Sequence, residues 1–298
     1  TEKNIHYGFP LPVILIDEGF HLFSSSKFHH GETVAESNGQ YYKLYHNKIY
    51  RTDAEGTLTL DDHQHPTNIK PLDFSITKGV LMIMITGGLM LLLFVGLARS
   101  FGKGPIATGA GRFFEPIIMY IRDDIARPNI GETKYKKYMP YLLTVFFFVW
   151  FLNLFGLTPL GVNVTGNIAV TFALAIITFI ITQFSGNKNY WKHIFWMPGV
   201  PVPMKFILAP IELLGVFIKP FALMIRLYAN IMAGHVVLMS IIGLVFIFQN
   251  WIGGALSLFL AFFLSIIELL VAALQAYIFT LLSALYFGFA VEEHDEAF

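Results

Sequence analysis

The sequence has no cysteine. That removes disulfides, a thiolate nucleophile, and Cys-ligated zinc or iron–sulfur centres from consideration. Charge is the second shortage. Only 13% of the 298 residues are Asp, Glu, Lys or Arg, against a hydrophobic content of 55% and a mean hydropathy of +0.60, whereas soluble domains carry roughly 25% charged residues. A single soluble globular domain is excluded. Lys+Arg and Asp+Glu number 20 each, so there is no basic excess to neutralise a phosphate backbone and no nucleic-acid partner is expected. No internal repeat, P-loop or dinucleotide fingerprint is visible; Gly102, Gly104, Gly109 and Gly111 follow no strand, and no cofactor is expected.

The charges that are present leave long gaps. Between Lys78 and Arg99 lie 20 residues without an ionisable side chain, about the length that spans ~30 Å of hydrocarbon at ~1.5 Å per residue. This predicts a spanning helix at 79–98. Tyr138 to Asn187 is a 50-residue run without Asp, Glu, Lys or Arg, broken by Pro159, Gly161 and Gly166, which predicts helices at 139–158 and 167–185 joined by a tight turn. Leu227 to Val291 is a 65-residue run with one charged side chain, Glu268, and a polar break from Gln249 to Gly254. It predicts long helices at 206–248 and 251–290. Each of about 40 residues would reach ~60 Å, twice the bilayer core, so these two must tilt strongly, bend or lie partly in the membrane plane. The expected fold is an all-α polytopic membrane protein of about five helices, its membrane domain at 74–291, followed by an acidic tail at 292–298.

Short-loop Lys and Arg set the expected orientation. Arg99, Lys103, Arg112, Arg122, Arg127, Lys134, Lys136 and Lys137 crowd one segment and Lys188, Lys192 and Lys205 another, while the turns at Pro159–Gly166 and Gln249–Gly254 carry neither residue type. Both basic segments are expected in the cytoplasm, with the N-terminus outside and the C-terminus inside. Residues 111–127 place apolar and charged side chains at helical spacing, as in an amphipathic helix on the inner leaflet or an ordinary loop helix. Residues 1–73 differ in kind: an extramembrane segment that is polar and holds seven of the ten histidines. Its alternating stretch Gln40 to Tyr50, followed by Asp53–Gly56 and Thr57–Leu60, predicts a small β-hairpin. The pairs His29/His30 and His63/His65 lack a carboxylate at ligand spacing and read as solvated surface, so no metal is expected.

Two charges sit where charges are costly. A charged side chain near the centre of a membrane helix costs ~2.5–3.5 kcal/mol on insertion scales and usually faces a cavity or another protein. Arg226 and Glu268 are the two to explain. They could pair with each other, but in an antiparallel hairpin turning near Asn250 and Trp251 the Arg226 position falls level with Gln275, and Glu268 falls level with His235. Arg226 is then left without a carboxylate of its own chain, which implies one from a partner. Ala229, Asn230 and Ala233 share its helix face, a smooth strip where another helix could approach. Glu212, Lys219 and Arg226 are seven apart and form one polar stripe from the basic side, interrupted by Pro220. His235 and Glu268 lie between Arg226 and the outer side, an acid and an imidazole of the kind that relay protons. On straight helices the two pairs conflict, because His235 lies about 180° from Arg226 while Glu268 and Gln275 share a face; the helices cross, or water joins one pair.

Around these residues a family pattern appears. Lys219-Pro220 through Arg226-Leu227-Tyr228-Ala229-Asn230-Ile231-Met232-Ala233-Gly234-His235, Leu274 to Phe279, the ending Glu292-Glu293-His294, Asn153 to Pro159 and Gly166 to Thr171 together resemble subunit a of the rotary F-type ATP synthase over roughly residues 75–294. The resemblance implies a stator without an active site of its own, in a bacterial-type cytoplasmic membrane. It would form two offset half-channels against a c-ring and assemble with b-type peripheral stalk subunits and membrane lipid. Arg226 matches the family's essential arginine, and the ring supplies the missing carboxylate. His235 and Glu268 match positions where members carry His and Glu in either order, while Gly156 and Thr165 stand where some members have Asp. The implied proton path comprises Arg226, His235, Glu268, Gln275 and Asn230, with Glu212 and Lys219 in the inner half-channel and Asn153, Asn167 and Thr171 as outer candidates. A Na⁺-translocating version and an unrelated secondary transporter are the alternatives; the latter would need a solute site at broken helices and often shows an inverted repeat, and neither is seen.

Overall fold

A computed structural model describes residues 10–61, 65–102, 109, 111–158, 164–197, 200–248 and 250–292. His63, Lys103, Gly104, Pro159, Gly161, Gln249 and the tail beyond Glu292 lie outside the described residues. The chain divides into two compact units, Thr1–Leu81 and Met82–Phe298.

The first unit is built from two three-stranded antiparallel sheets. One has the order β2 (Phe20–Ser24), β1 (Pro12–Ile16), β6 (Leu72–Asp73); the other runs β3 (Ala35–Ser37), β4 (Gln40–Tyr45), β5 (Lys48–Thr52). The expected hairpin character is present, but its turn is elsewhere. Register pairs Tyr45 with Lys48, so the chain reverses inside the alternating stretch, at His46 and Asn47, both with positive φ. Backbone twist at such a two-residue turn matches that of the strands it joins. Asn38-Gly39 makes the second such turn, between Ser37 and Gln40. The Asp53–Gly56 segment is itself a turn, closed by the Gly56 N–H on the Asp53 carbonyl. The sheets enclose Val13, Leu15, Phe23, Ala35, Tyr42 and Ile49. Tyr42 is fully buried beside Asp17, and burial first, then that carboxylate, pushes its phenol up to about 12.

The second unit is helical. Among the described residues five helices are long and apolar enough to cross a membrane: α1 (Lys78–Phe101), α4 (Tyr135–Gly156), α5 (Ile168–Ser185), α7 (Val202–Phe248) and α8 (Trp251–Val291). The last two have 47 and 41 residues, ~70 and ~60 Å of helix. α7 continues through both Pro210 and Pro220. Sequence reading missed α6 (Lys188–Phe195), whose eight residues make only about two turns, too few for a periodic pattern to stand out.

Residues 111–127 are not one regular helix. They form α2 (Gly111–Tyr120), a π-helical turn (Ile121–Ala126) and the start of α3 (Arg127–Ile130). One face is sealed: Ile121, Ile125 and Ala126 are completely buried in the cluster with α4 and α8. The other face carries Asp123, held by both Arg122 (2.8 and 2.9 Å) and Arg127 (2.8 Å). The Arg122 hydrogen bond is the main reason its carboxyl stays below the usual range. Extra backbone in a π-turn lets that face reach the bundle while the arginines stay outside.

Phe147 of α4 is wholly buried and meets Phe94, Phe114, Phe146, Trp150 and Phe151 at centroid distances of 5.2–6.1 Å, within the range of favourable aromatic pairs. This core holds α4 against α1, α2 and, through Phe279 and Phe287, α8. The end of α8 is anchored by Lys134 and Asn187, which both donate to the Val291 carbonyl (2.8 and 3.1 Å), and by the Asn187 N–H on Ala290 (2.9 Å). These bonds satisfy carbonyls that a helix end leaves open. α8 is thereby fixed at one end, while most of its first half is exposed.

Candidate functional site at the hairpin of the last two helices

α7 turns its buried stripe, Val216, Leu223 and Leu227, toward the bundle. Arg226, Ala229, Asn230 and Ala233 lie on an exposed strip beside it. No carboxylate of the described residues is within ion-pair distance of Arg226. Tyr286 of α8 lies within its electrostatic reach.

Gln275 is buried, and its amide oxygen accepts a 2.6 Å hydrogen bond from Asn230 Nδ2. The α7 residue that reaches Gln275 is therefore Asn230, one turn beyond the Arg226 position expected level with it. The Gln275 Nε2 keeps no partner among the described residues.

One turn further, α7 and α8 open around a cavity of about 300 Å³ lined by Asn153, Thr165, Asn230, Gly234, His235 and Glu268, with apolar walls from Leu264, Ile267 and Val271. Both Glu268 oxygens are buried and accept no hydrogen bond from the described residues. A buried carboxylate without a donor is expensive, so its setting matters. His235 lies within electrostatic reach, and Gly234 lets the carboxylate sit against the α7 backbone: a Cβ there would fall 2.7 Å from Glu268 Oε1. The space is large enough for several waters, each taking ~30 Å³. His235 and Glu268 thus share one chamber without a direct bond, which removes the conflict between the two helix faces.

The three outer candidates part company. Asn153 lines the cavity, buried, donating to the Ala272 carbonyl (3.3 Å) and accepting from Thr165 Oγ1 (3.0 Å). Asn167 does not. It is exposed and caps α5, its side chain accepting the Ala169 N–H at 3.0 Å, as an Asn ahead of an apolar helix commonly does. Thr171 is buried with its hydroxyl turned back on the Ile168 carbonyl (3.1 Å) and is absent from the cavity wall.

On the basic side, Lys219 holds its ammonium over the rings of Phe289 (4.9 Å) and Tyr286 (5.7 Å), a cation–π arrangement. It borders a second cavity of about 20 Å³, room for one water, with Thr178, Thr182, Gln183, Tyr190 and Tyr286. Tyr190 and Gln183 bond each other (3.1 and 3.3 Å). Burial raises the Tyr190 phenol, the Gln183 bond lowers it, and nearby Glu212 raises it again. Of the two residues the sequence singled out here, Lys219 borders the cavity and Glu212 does not, standing instead within electrostatic reach of Tyr190; sequence reasoning missed Tyr190, Gln183 and Tyr286. The lone amide in the apolar run of α5 was the available signal for Gln183; nothing local marks the two tyrosines.

The geometry sets a register test. Cysteines placed at 235 and 268 in this Cys-free chain are expected to crosslink more readily than cysteines at 235 and 275, which stand seven residues, ~10 Å, further apart along the axis. Preferential 235/275 crosslinking would discard the register.

Comparison with known proteins gives these residues a context. The family model described as ATP synthase A chain matches residues 80–288, most of the chain and all five long helices in whole or large part. The chain belongs to this family. Its relatives include ATP synthase subunit a of Chloroherpeton thalassium, 41% identical over 241 residues (78% of this chain, 72% of the relative), and ATP synthase subunit a 2 of Chlorobaculum tepidum, 43% identical over 242 residues (78% and 68%). Subunit a of Myxococcus xanthus is 41% identical over 235 residues (76% and 77%). As an ATP synthase A chain family member, the protein is an ion-translocating stator subunit of the membrane sector, and its helices make it a multi-pass membrane protein. Residues 1–74 match a separate model, described as a domain of unknown function.

Proposed function

We propose that the chain is a proton-translocating stator subunit whose two cavities are the ends of two half-channels meeting at Arg226, against a c-ring that brings the carboxylate Arg226 lacks. In this reading protons reach the rotor through the chamber of His235 and Glu268 and leave past Lys219 and Glu212 on the cytoplasmic side; hydrolysis reverses the direction. Arg226 keeps the facing rotor carboxylate ionised and blocks a direct leak between the two routes, which needs a permanent charge. The chamber favours H⁺ over Na⁺ because an imidazole beside a carboxylate exchanges protons near neutral pH, whereas Na⁺ is better served by a cage of oxygens.

The observation that carries this reading is the buried Glu268 carboxylate, without a hydrogen-bond donor among the described residues and facing His235 across a roomy cavity, about two turns beyond an exposed arginine that pairs with no described carboxylate. An ion pair serving structure alone would bring Arg226 and Glu268 together. The matching experiment is purification of the detergent-solubilised complex. A c-ring, b-type stalk subunits and the soluble ATPase subunits are expected with this chain; its recovery as a free-standing transporter would refute the reading.

A further inference from the structure

The sheet of β2, β1 and β6 has apolar side chains on both faces, with His21 and Asp73 on the side of Leu15. Its inner face gives Val13, Leu15 and Phe23 to the core shared with β3–β5. Its outer face presents Ile14, Ile16, Phe20, Leu22, Leu72 and Phe74, which register places side by side: Ile14 opposite Leu22, and Ile16 opposite Phe20 on one side and Leu72 on the other. Phe20, Leu22, Leu72 and Phe74 are each 59–64% exposed. An antiparallel sheet with one face in water alternates apolar and polar residues; here the second face carries no charge at all. A contiguous apolar patch of this kind marks an interaction surface.

The chain itself says what lies next to it. Beyond β6 the pairing with β1 continues, with the Phe74 N–H on the Ile14 carbonyl (2.9 Å), the Ile14 N–H on Ser75 Oγ (3.2 Å) and the Ile76 N–H on the Pro12 carbonyl (3.1 Å). α1 begins at Lys78, two residues later, so at most ~7 Å of chain separates the last ladder bond from a membrane-spanning helix. The sheet is thus joined to the start of that helix by a short tether.

We infer that this face docks on the lipid leaflet at which α1 begins, with Phe20, Leu22, Leu72 and Phe74 in the boundary between headgroups and acyl chains. Phenyl and aliphatic side chains without charge suit that layer, as on the apolar side of an interfacial helix. Docking is then insensitive to salt, because no ion pair contributes.

The test uses the intact ATP synthase complex in lipid nanodiscs, with single nitroxide-labelled cysteines at Leu22, at Leu72 and, on the other sheet, at exposed Lys48. All three side chains are at the surface, so labelling leaves the core intact. Oxygen concentrates in the bilayer and a nickel chelate stays in water. The ratio of their collision rates is expected to be several-fold higher at 22 and 72 than at 48, at low and high salt alike. Equal ratios at the three sites would overturn the inference. So would labels at 22 and 72 shielded from both reagents, the result for a face covered by another protein.

Discussion

Arg226→Ala is expected to abolish ATP synthesis driven by an imposed proton gradient, with the subunit still inserted and assembled. Arg226 is exposed on α7 and makes no ion pair with the described residues, so its removal breaks no bridge among them and relieves the membrane of a charge that costs ~2.5–3.5 kcal/mol on insertion scales. A stabilising role predicts loss of assembly; a role against the rotor predicts loss of coupling with assembly intact. Lys at this position keeps the charge but not the fork of the guanidinium, and its compact ammonium can give up its proton when desolvated, so Arg226→Lys is expected to restore little. Normal synthesis in the alanine variant would end the proposal for Arg226.

The second large effect belongs to Glu268. Glu268→Gln preserves size and hydrogen-bonding capacity but removes the titrating group, and because its oxygens accept no bond from the described residues, folding has little to lose. Proton flux is expected to fall by an order of magnitude or more while assembly survives, since relay through a coupled pair requires a member that takes and releases the proton. Exchanging the pair, His235→Glu with Glu268→His, keeps one acid and one imidazole in the same chamber and should recover more flux than either single change. Flux has to be measured apart from assembly, because a merely structural pair would also tolerate the exchange. A Glu268→Gln complex that conducts at the normal rate would leave Glu268 a packing residue and move the outer route to Asn153 and Thr165.

What the sequence shows of this site follows from what membranes make expensive. Charges are excluded from hydrocarbon, so their absence outlines the five long helices, and their isolated presence marks Arg226 and Glu268. Hairpin arithmetic brings His235 and Glu268 to one level because a straight antiparallel pair conserves residue sums, and both side chains do line one cavity. The same arithmetic misplaces Gln275 by a turn: an amide pair such as Asn230–Gln275 depends on side-chain reach, which periodicity does not contain. Asn167 has the sequence signature of a helix cap, an Asn directly before an apolar run, and its pairing with Ala169 was readable as such. Tyr190 and Tyr286 come to the cavity beside Lys219 from separate helices, a tertiary meeting without any local trace. In the first unit, Asn38-Gly39 is a strong turn signal that defines β3 and β4, whereas the turn at His46-Asn47 is hidden because it interrupts the alternation that announces the strands.

Crosslinking at the face of Arg226 tests the central claim most directly. Ala229 is exposed and shares that face, so a single cysteine there, opposite a cysteine introduced beside the membrane carboxylate of the ring subunit, is expected to give a disulfide-linked conjugate of the two chains in native membranes. A cysteine at 229 that reacts with a lipid-phase thiol reagent yet forms no conjugate with the ring would contradict the account.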